Sequence, residues 1–134
     1  MSKSEYKLIS LPKISDRKGS LTFIENDKHI PFKIKRIYYL YNIPSAKERG
    51  SHAHKGLHQF VIALSGSFDI VLSNGVKKKK FHLNRPHQGL YISPMTWQEL
   101  SNFSSEAVCL VCASEFYDEK DYIRSYKVFV KRAK

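Results

Sequence analysis

The chain has 134 residues, 42% of them apolar and 13% aromatic, and its net charge is +11. This length and composition predict a single domain over residues 1–134 and exclude a disordered chain. No apolar run approaches the ~18 residues that cross a bilayer, and no hydrophobic signal region follows residues 1–5. We therefore expect a cytoplasmic protein. The charge fits a nucleic acid, a membrane surface or a phosphorylated small molecule.

Short β-type segments alternate with turn signals along the first half of the chain. Predicted strands cover residues 6–14, with a break at Pro12, then 20–25 and 33–41. The turn at residues 15–19 carries two adjacent cations, Arg17 and Lys18. Loops cover residues 26–31 and 42–49.

The second half contains the strongest hairpin signal, Asn74-Gly75, which favours a type I′ turn after a strand at residues 67–72. The return strand carries four lysines, residues 77–80, whose alternation suits an exposed edge strand. Further strands are predicted at residues 90–94, around Trp97, at 107–113 and at 126–130, with one or two helical turns at 117–124. Cys109 and Cys112 would face opposite sides of their strand, which favours two small buried side chains over a disulfide. This number of short strands favours a β-sandwich or barrel.

One stretch, residues 49–66, contains His52 and His54, followed by Gln59 and an apolar run that ends at Gly66. Residues two apart on a strand share a face, so both imidazoles would project together. His58 has the same parity and would line the same cavity if the strand is regular. Histidine titrates nearest neutrality, so the pair favours metal ligation or proton transfer. The remaining histidines are expected to be incidental.

The spacing of this stretch resembles the first motif of the cupins, and a second motif follows. Gly66 completes the first motif. The key positions of the second motif are occupied by Gly89, Pro94, Thr96 and Glu99. The resemblance predicts an all-β cupin, a double-stranded β-helix or jelly-roll barrel, with short helical turns near the C-terminus.

A metal cupin normally offers three histidines and a carboxylate, whereas this chain offers two histidines, the neutral amide Gln59 and Glu99. Two histidines and one carboxylate are still able to hold iron or manganese. The nearby cations Arg49 and Lys55 would repel a divalent ion, so proton chemistry is favoured. We expect no metal and no other cofactor.

Four segments resemble the nucleotide-sugar 3,4-ketoisomerases, and together the resemblance covers nearly the whole chain. They are residues 34–39, 49–55, 89–94 and, most specific of all, 113–124. The family consists of small dimeric cupins that need no metal. Its members convert dTDP-4-keto-6-deoxyglucose to a 3-keto isomer on the way to 3-amino sugars of bacterial surface glycans, such as the lipopolysaccharide O-antigen or an S-layer glycan. The resemblance therefore implies a homodimer with a dTDP-sugar substrate and neither nucleic acid nor membrane as partner.

The resemblance also implies roles for particular residues. His52 and His54 match the catalytic pair, while Arg49, Tyr38 and Tyr39 match residues around the sugar pocket. Further candidates for substrate contact lie along the motifs and near the predicted cavity; they are Arg17, Lys18, Gln59, Tyr91, Trp97 and Glu99.

The residue chemistry agrees with this reaction. A neutral imidazole would remove the C3 proton that the 4-keto group acidifies, and a proton would return to the enediol at C4. Arg49 and Lys55 would lower the histidine pKa and stabilise the enediolate. Two histidines on one face of the sugar predict the galacto configuration at C4. Resemblance adds a hint, because family members of both outcomes differ near the turn with Arg17 and Lys18.

Two alternatives stay open at this point. One is a metal-dependent cupin, either a dioxygenase or a phosphosugar isomerase. The other is a non-catalytic cupin that senses a sugar or binds nucleic acid through its lysines. The sequence also leaves open which histidine takes the first proton and which residues bind the diphosphate.

Overall fold

The computed structural model describes residues 5–44 and 47–134, so residues 1–4 of the N-terminal segment and residues 45–46 of the predicted loop at 42–49 lie outside it. Within these residues two five-stranded antiparallel sheets form a barrel, which confirms the all-β cupin prediction. The first sheet contains, in spatial order, β1 (Tyr6–Ser10), β9 (Gln88–Ile92), β6 (Gln59–Ser65), β11 (Val108–Ala113) and β4 (Arg36–Leu40). The second contains β12 (Tyr122–Ile123), β5 (Arg49–His54), β10 (Trp97–Ser101), β7 (Phe68–Ser73) and β8 (Lys78–Leu83).

The main core lies between the two sheets, because successive side chains of a strand point to opposite faces. On β6, Val61 and Ala63 join this core, whereas Phe60 and Ile62 join a second cluster on the outer face of the first sheet. The two cysteines follow the same rule. Cys109 belongs to the main core and Cys112 to the second cluster, and both are free thiols, as predicted.

Position 89 in β9 requires glycine because of side-chain packing, not because of a turn. It lies opposite Ile62 of β6, and the ring of Phe60 covers it. A Cβ atom at this position would come within 2.2 Å of the Phe60 ring. The second sequence motif therefore requires glycine here to seat an aromatic side chain on the neighbouring strand.

The lysine-rich hairpin is present, but its turn differs from the predicted type. Lys78–Leu83 is the edge strand of the second sheet, as the lysine alternation predicted. Four residues, 74–77, join the strands, and of these only Gly75 has a positive φ, 94°. The side chain of Asn74 accepts hydrogen bonds from the backbone N–H groups of Val76 and Lys77 at 2.9 and 2.8 Å. This Asx-type arrangement replaces the type I′ turn, in which both central residues have positive φ.

The predicted final β segment at residues 126–130 is wrong, because Tyr126–Ala133 forms a helix, α1. The Ser125 side chain caps it by accepting a hydrogen bond from the backbone N–H of Val128 at 3.3 Å. Phe129 is buried and packs with Trp97 on the outer face of the second sheet. The predicted helical turns at 117–124 reduce to one 3-10 turn, Glu119–Asp121. No described helix is long and apolar enough to cross a membrane.

A separate hairpin, β2 (Lys13–Asp16) and β3 (Gly19–Thr22), belongs to neither sheet. Its turn carries Arg17 and Lys18. Ile14 and Leu21 are cross-strand partners on it, and their exposed fractions are 61% and 57%. This arm therefore presents apolar side chains that its own chain leaves uncovered.

Candidate active site

The two histidines of β5 project from one face of the strand, and their ring centroids are 4.8 Å apart. Ala53 between them points the other way, into the cluster beneath α1. β5 lies between β10 and β12, where His52 pairs with Gln98 and His54 with Tyr122. The structure thus brings together the two side chains for which the sequence predicts catalysis.

His54 is held by a carboxylate from the 3-10 turn. Its Nδ1 lies 3.0 Å from Oδ2 of Asp121, and the other carboxylate oxygen accepts the backbone N–H of Gly56 at 2.7 Å. The backbone carbonyl of Asp121 accepts the N–H of Lys55 at 2.9 Å. An ionised carboxylate only accepts, so Nδ1 carries the hydrogen and Nε2 the free electron pair. Nε2 is buried and has no hydrogen-bond partner among the described residues, so no described group occupies its electron pair.

Burial keeps both imidazoles neutral. It lowers the pKa of His52 to about 3, with further lowering from His54 and Arg124. Burial also lowers the pKa of His54, and Asp121 opposes this only in part, while Arg36 and Arg124 lower it further. The cations that act on the pair are therefore Arg36 and Arg124, not Arg49 and Lys55 as the sequence suggested. The Lys55 ammonium instead donates to the backbone carbonyl of Lys120 at 3.0 Å.

The segment after β11 covers the histidine pair. The Tyr122 ring lies 5.0 Å from the His52 ring and 4.4 Å from the His54 ring. Arg124 lies over Tyr122 at 4.3 Å and donates two hydrogen bonds, both of 2.9 Å, to Glu119. Sequence reasoning assigned no role to Asp121, Tyr122 or Arg124, although they lie in the segment that carries the most specific resemblance.

A cleft of about 550 Å³ opens at His52 between the two sheets. Tyr38 of β4 and Gln98 of β10 line it from opposite sides, and Arg49 and Arg124 also line it. Burial raises the pKa of Tyr38 to about 12, so its phenol stays protonated. The Gln98 Nε2 lies 3.2 Å from the His52 Nε2. Gln59 lies behind Tyr38 and donates to its hydroxyl at 3.1 Å.

A second pocket of about 420 Å³ opens at His54. Arg36, Tyr117 and Asp121 line it, and Tyr122 lines both pockets. The Arg36 guanidinium lies between the rings of Tyr38 and Tyr117, 5.2 and 5.6 Å from their centroids. The two histidines are thus reached from two sides, with Tyr122 lining both pockets and cationic groups around them.

Trp97 and Glu99 do not line the cleft, contrary to the sequence prediction. Both point to the outer face of β10, where the Trp97 Nε1 donates to Glu99 at 2.8 Å and the indole packs under α1. The residue between them, Gln98, faces His52 instead. A shift of one residue along a strand exchanges the two faces, so the last position of the second motif was assigned one residue too late, to Glu99 instead of Gln98.

Four further predicted contact residues lie away from the histidines within this chain. Tyr39 alternates with Tyr38, points outward and is 58% exposed. Tyr91 belongs to the cluster outside the first sheet, where its hydroxyl lies 2.7 Å from Nδ1 of His58. Strand β5 ends at His54. His58 is therefore not on this strand and does not share the face of His52 and His54, contrary to the expectation. Arg17 and Lys18 occupy the exposed turn of the β2–β3 arm.

The side chains near the histidines do not form a donor set for a metal ion. Among residues 5–44 and 47–134, no three His, Cys, Asp or Glu side chains are grouped so as to hold one. Glu99, the carboxylate that a two-histidine site would need, faces away from His52 and His54.

Residues 4–134 match the family model described as "FdtA: WxcM-like, C-terminal". The chain belongs to this family. It is 46% identical over 127 residues to the TDP-4-oxo-6-deoxy-alpha-D-glucose-3,4-oxoisomerase of Aneurinibacillus thermoaerophilus, a match over 95% of this chain and 91% of the relative.

Solved structures of 3,4-ketoisomerases have the same fold. A histidine-to-asparagine mutant of QdtA from Thermoanaerobacterium thermosaccharolyticum, in complex with TDP-4-keto-6-deoxyglucose, is 44% identical, with a TM-score of 0.94 over 96% of this chain and 93% of that one. The TDP-quinovose 3,4-ketoisomerase WlaRB from Campylobacter jejuni is 48% identical, with a TM-score of 0.91 over 94% of this chain and 97% of that one. The family resemblance predicted from the sequence is confirmed, and the chain is an isomerase of this kind.

Proposed function

We propose that this chain converts dTDP-4-keto-6-deoxy-D-glucose to dTDP-3-keto-6-deoxy-D-galactose without a metal ion. The observation that carries the proposal is the contact between His54 and Asp121. It leaves a neutral, buried imidazole with its free electron pair on Nε2 and with no other hydrogen-bond partner among the described residues. The relatives' names supply the substrate class.

The reaction moves one proton from C3 to C4 and another from the C3 hydroxyl to the C4 oxygen. His54 Nε2 takes the C3 proton, and the resulting imidazolium is stabilised by the Asp121 carboxylate. Arg36 and Arg124, which already act on the histidines electrostatically, stabilise the negative charge that develops on the enediolate. The same imidazolium then protonates C4, while the proton of the C3 hydroxyl passes to the C4 oxygen, which leaves a hydroxyl at C4 and a ketone at C3.

A single base implies a stereochemical outcome. The C3 hydrogen of the substrate and the C4 hydrogen of a galacto product lie on the same ring face. A proton carried by one imidazole therefore gives the galacto configuration. The Campylobacter relative has quinovose, which is 6-deoxyglucose, in its name, so the gluco configuration is the competing outcome.

The reaction in deuterated water decides between these outcomes. We expect the product NMR spectrum to show a galacto C4 that retains part of the original protium, because one base returns some of the hydrogen it removed. A gluco C4 with complete deuteration would show that a separate donor acts from across the ring. Absence of both turnover and C3 exchange would favour the non-catalytic, sugar-binding alternative.

Chelation separates the proposal from the metal-dependent alternative. The position of Glu99 on the outer face of β10 supports metal independence. Turnover should be unchanged after exhaustive dialysis against EDTA. Loss of turnover that one added divalent metal restores would establish the dioxygenase or phosphosugar-isomerase type of site instead.

The exposed apolar arm supports a homodimer. Ile14 and Leu21 on the arm, together with Leu64 on the outer face of the first sheet, would be covered by a second copy of the chain. Such a dimer would also carry Arg17 and Lys18 to a partner's surface, since they do not reach the cleft of their own chain. Sedimentation should give the dimer mass at micromolar concentration, and Ile14→Asp should shift it toward the monomer.

The product's place in the cell follows from the family. We propose that the protein acts in the cytoplasm and that its 3-keto sugar enters a surface glycan, either a lipopolysaccharide O-antigen or an S-layer glycan. Deletion of the gene should remove one sugar from the hydrolysed surface polysaccharide and leave the rest of its composition unchanged.

A further inference from the structure

We propose that Gln59 is a positioning residue that fixes the direction of the Tyr38 hydroxyl proton. The sequence suggested that Gln59 contacts substrate, but its side chain lies behind Tyr38 and only 1% of the residue is exposed. Its amide reaches across β11, which lies between the strands of the two residues. The inference rests on the proposed ketoisomerase reaction.

The hydrogen bond has a defined polarity. The Gln59 Nε2–H donates to the Tyr38 oxygen at 3.1 Å, so the phenol accepts on that side. A hydroxyl has one hydrogen and two acceptor positions. Among the described residues, Gln59 is the only hydrogen-bond partner of the Tyr38 hydroxyl. The phenolic hydrogen is therefore free to point away from the amide and toward the cleft that Tyr38 lines with His52.

A hydrogen directed into the cleft suits the charge that develops in this reaction. Removal of the C3 proton places negative charge on the enediolate oxygens, and a donor fixed in advance stabilises such charge more effectively than one that must reorient. Burial raises the pKa of Tyr38 to about 12, so the phenol remains a donor throughout the neutral range.

The chemical identity of residue 59 decides this direction. A carboxylate of nearly the same shape only accepts hydrogen bonds, so it would draw the phenolic hydrogen toward itself and away from the cleft. An amide at position 59 therefore performs a task that a glutamate there would reverse.

Gln59→Glu tests the proposal by reversing the bond with little change of shape. At pH 8.5 we expect kcat to fall on the order of 10²-fold, the usual effect of losing one preorganised donor, with KM changed less than about threefold. Burial of residue 59 should raise the pKa of the introduced carboxyl, so the deficit should shrink as the pH is lowered toward 6.5 and the protonated carboxyl again becomes a donor. Gln88→Glu, the same change in a half-buried residue outside the cleft, is the matched control and should match wild type.

The double variant Tyr38→Phe/Gln59→Glu separates positioning from a general structural effect. If Gln59 acts through Tyr38, the second change should lower kcat by less than about twofold once the hydroxyl is gone. An equal loss in both backgrounds, or normal kcat for Gln59→Glu at all pH values, would overturn the proposal. If Gln59→Glu does not fold, Gln59→Met removes the donor without adding charge. Its effect on kcat is then compared in the wild-type protein and in Tyr38→Phe in the same way. Inactive wild-type enzyme would instead refute the proposed function.

Discussion

Two histidine–aspartate pairs in this molecule make the same contact with opposite burial. In the active site His54 is buried and Asp121 is the more accessible partner, with exposed side-chain fractions of 3% and 22%. On the β7–β8 pair the carboxylate of Asp69 is buried and His82 is open, at 6% and 52%. The Nδ1–oxygen distances are 3.0 and 2.7 Å. The contact is the same, so its consequence depends on which partner is buried.

Burial of the histidine produces a base, whereas burial of the carboxylate produces a structural anchor. The pKa of His54 is lowered by burial despite Asp121, so the imidazole is neutral and able to accept a proton. Burial would raise the pKa of Asp69, but hydrogen bonds from His82, Asn102 and Lys80 outweigh it and lower the pKa. Asp69 thus stays ionised and ties the edge strand β8 to the rest of the second sheet.

The largest expected effect separates the two histidines. His54→Asn should lower kcat by ~10²–10⁴-fold while nucleotide-sugar affinity stays near that of wild type, because a proton carrier acts in the transition state. His82→Asn is the matched change and should leave kcat within about twofold. Steady-state kinetics and substrate titration on both variants test this. Similar losses in both would remove the distinction between the pairs.

Asp121→Asn should lower kcat on the order of 10²-fold, because an amide no longer fixes the tautomer that leaves the electron pair on Nε2. The variant should lose about 1 kcal/mol of unfolding free energy or less, since water replaces part of the contact at this accessible carboxylate. Kinetics and urea unfolding measured on one preparation check both statements. A large loss of stability with normal kcat would reverse the assignment.

Asp69→Asn should have the opposite profile, with normal kcat and a loss of about 2 kcal/mol of unfolding free energy, because three hydrogen-bond donors lose a buried, charged acceptor. The sign of the pH dependence follows from the lowered pKa. The stabilisation by Asp69 is fully present above the pKa of the unfolded aspartate, about 4, and is lost as pH falls through the lower folded value. Urea unfolding from pH 7 to pH 3 should therefore bring the wild type and the variant together at the acidic end.

The smallest expected effect concerns the pH dependence of turnover. Since the pKa of His54 lies below its usual value of 6.5, kcat/KM should be level from pH 8 to 6.5 and should decline only at lower pH. Asp121 raises that pKa, so Asp121→Asn should move the decline to still lower pH. A decline that begins above pH 6.5 would show that the base is not a buried neutral imidazole.

The sequence was sufficient to predict the fold because many short strands alternate with turn signals and two cupin motifs follow each other along the chain. Most of the residues wrongly predicted to contact substrate were assigned to the wrong face of a strand. Gln98 faces His52, and its neighbours Trp97 and Glu99 do not, because the motif spacing does not fix a strand register to one residue. A simple signal for α1 was available: Tyr126, Phe129, Val130 and Ala133 repeat with helical spacing after the capping Ser125.

Other features of the site had no local signal. Asp121 lies 67 positions from His54 along the chain, and only the tertiary fold brings the 3-10 turn to the end of β5. The cations that act on the histidines, Arg36 and Arg124, also come from distant segments. Neighbours in sequence, Arg49 and Lys55, were therefore a poor guide to neighbours in space.

Because Phe60 packs over Gly89, substitutions at these two positions are tolerated only in a particular order during evolution. Any side chain at position 89 collides with the ring on the adjacent strand, so a larger residue requires a smaller one at position 60. Reducing Phe60 first would leave a cavity that destabilises the protein by about 3–5 kcal/mol. The two positions should therefore covary, and homologues with a larger residue at 89 should have a smaller one at 60.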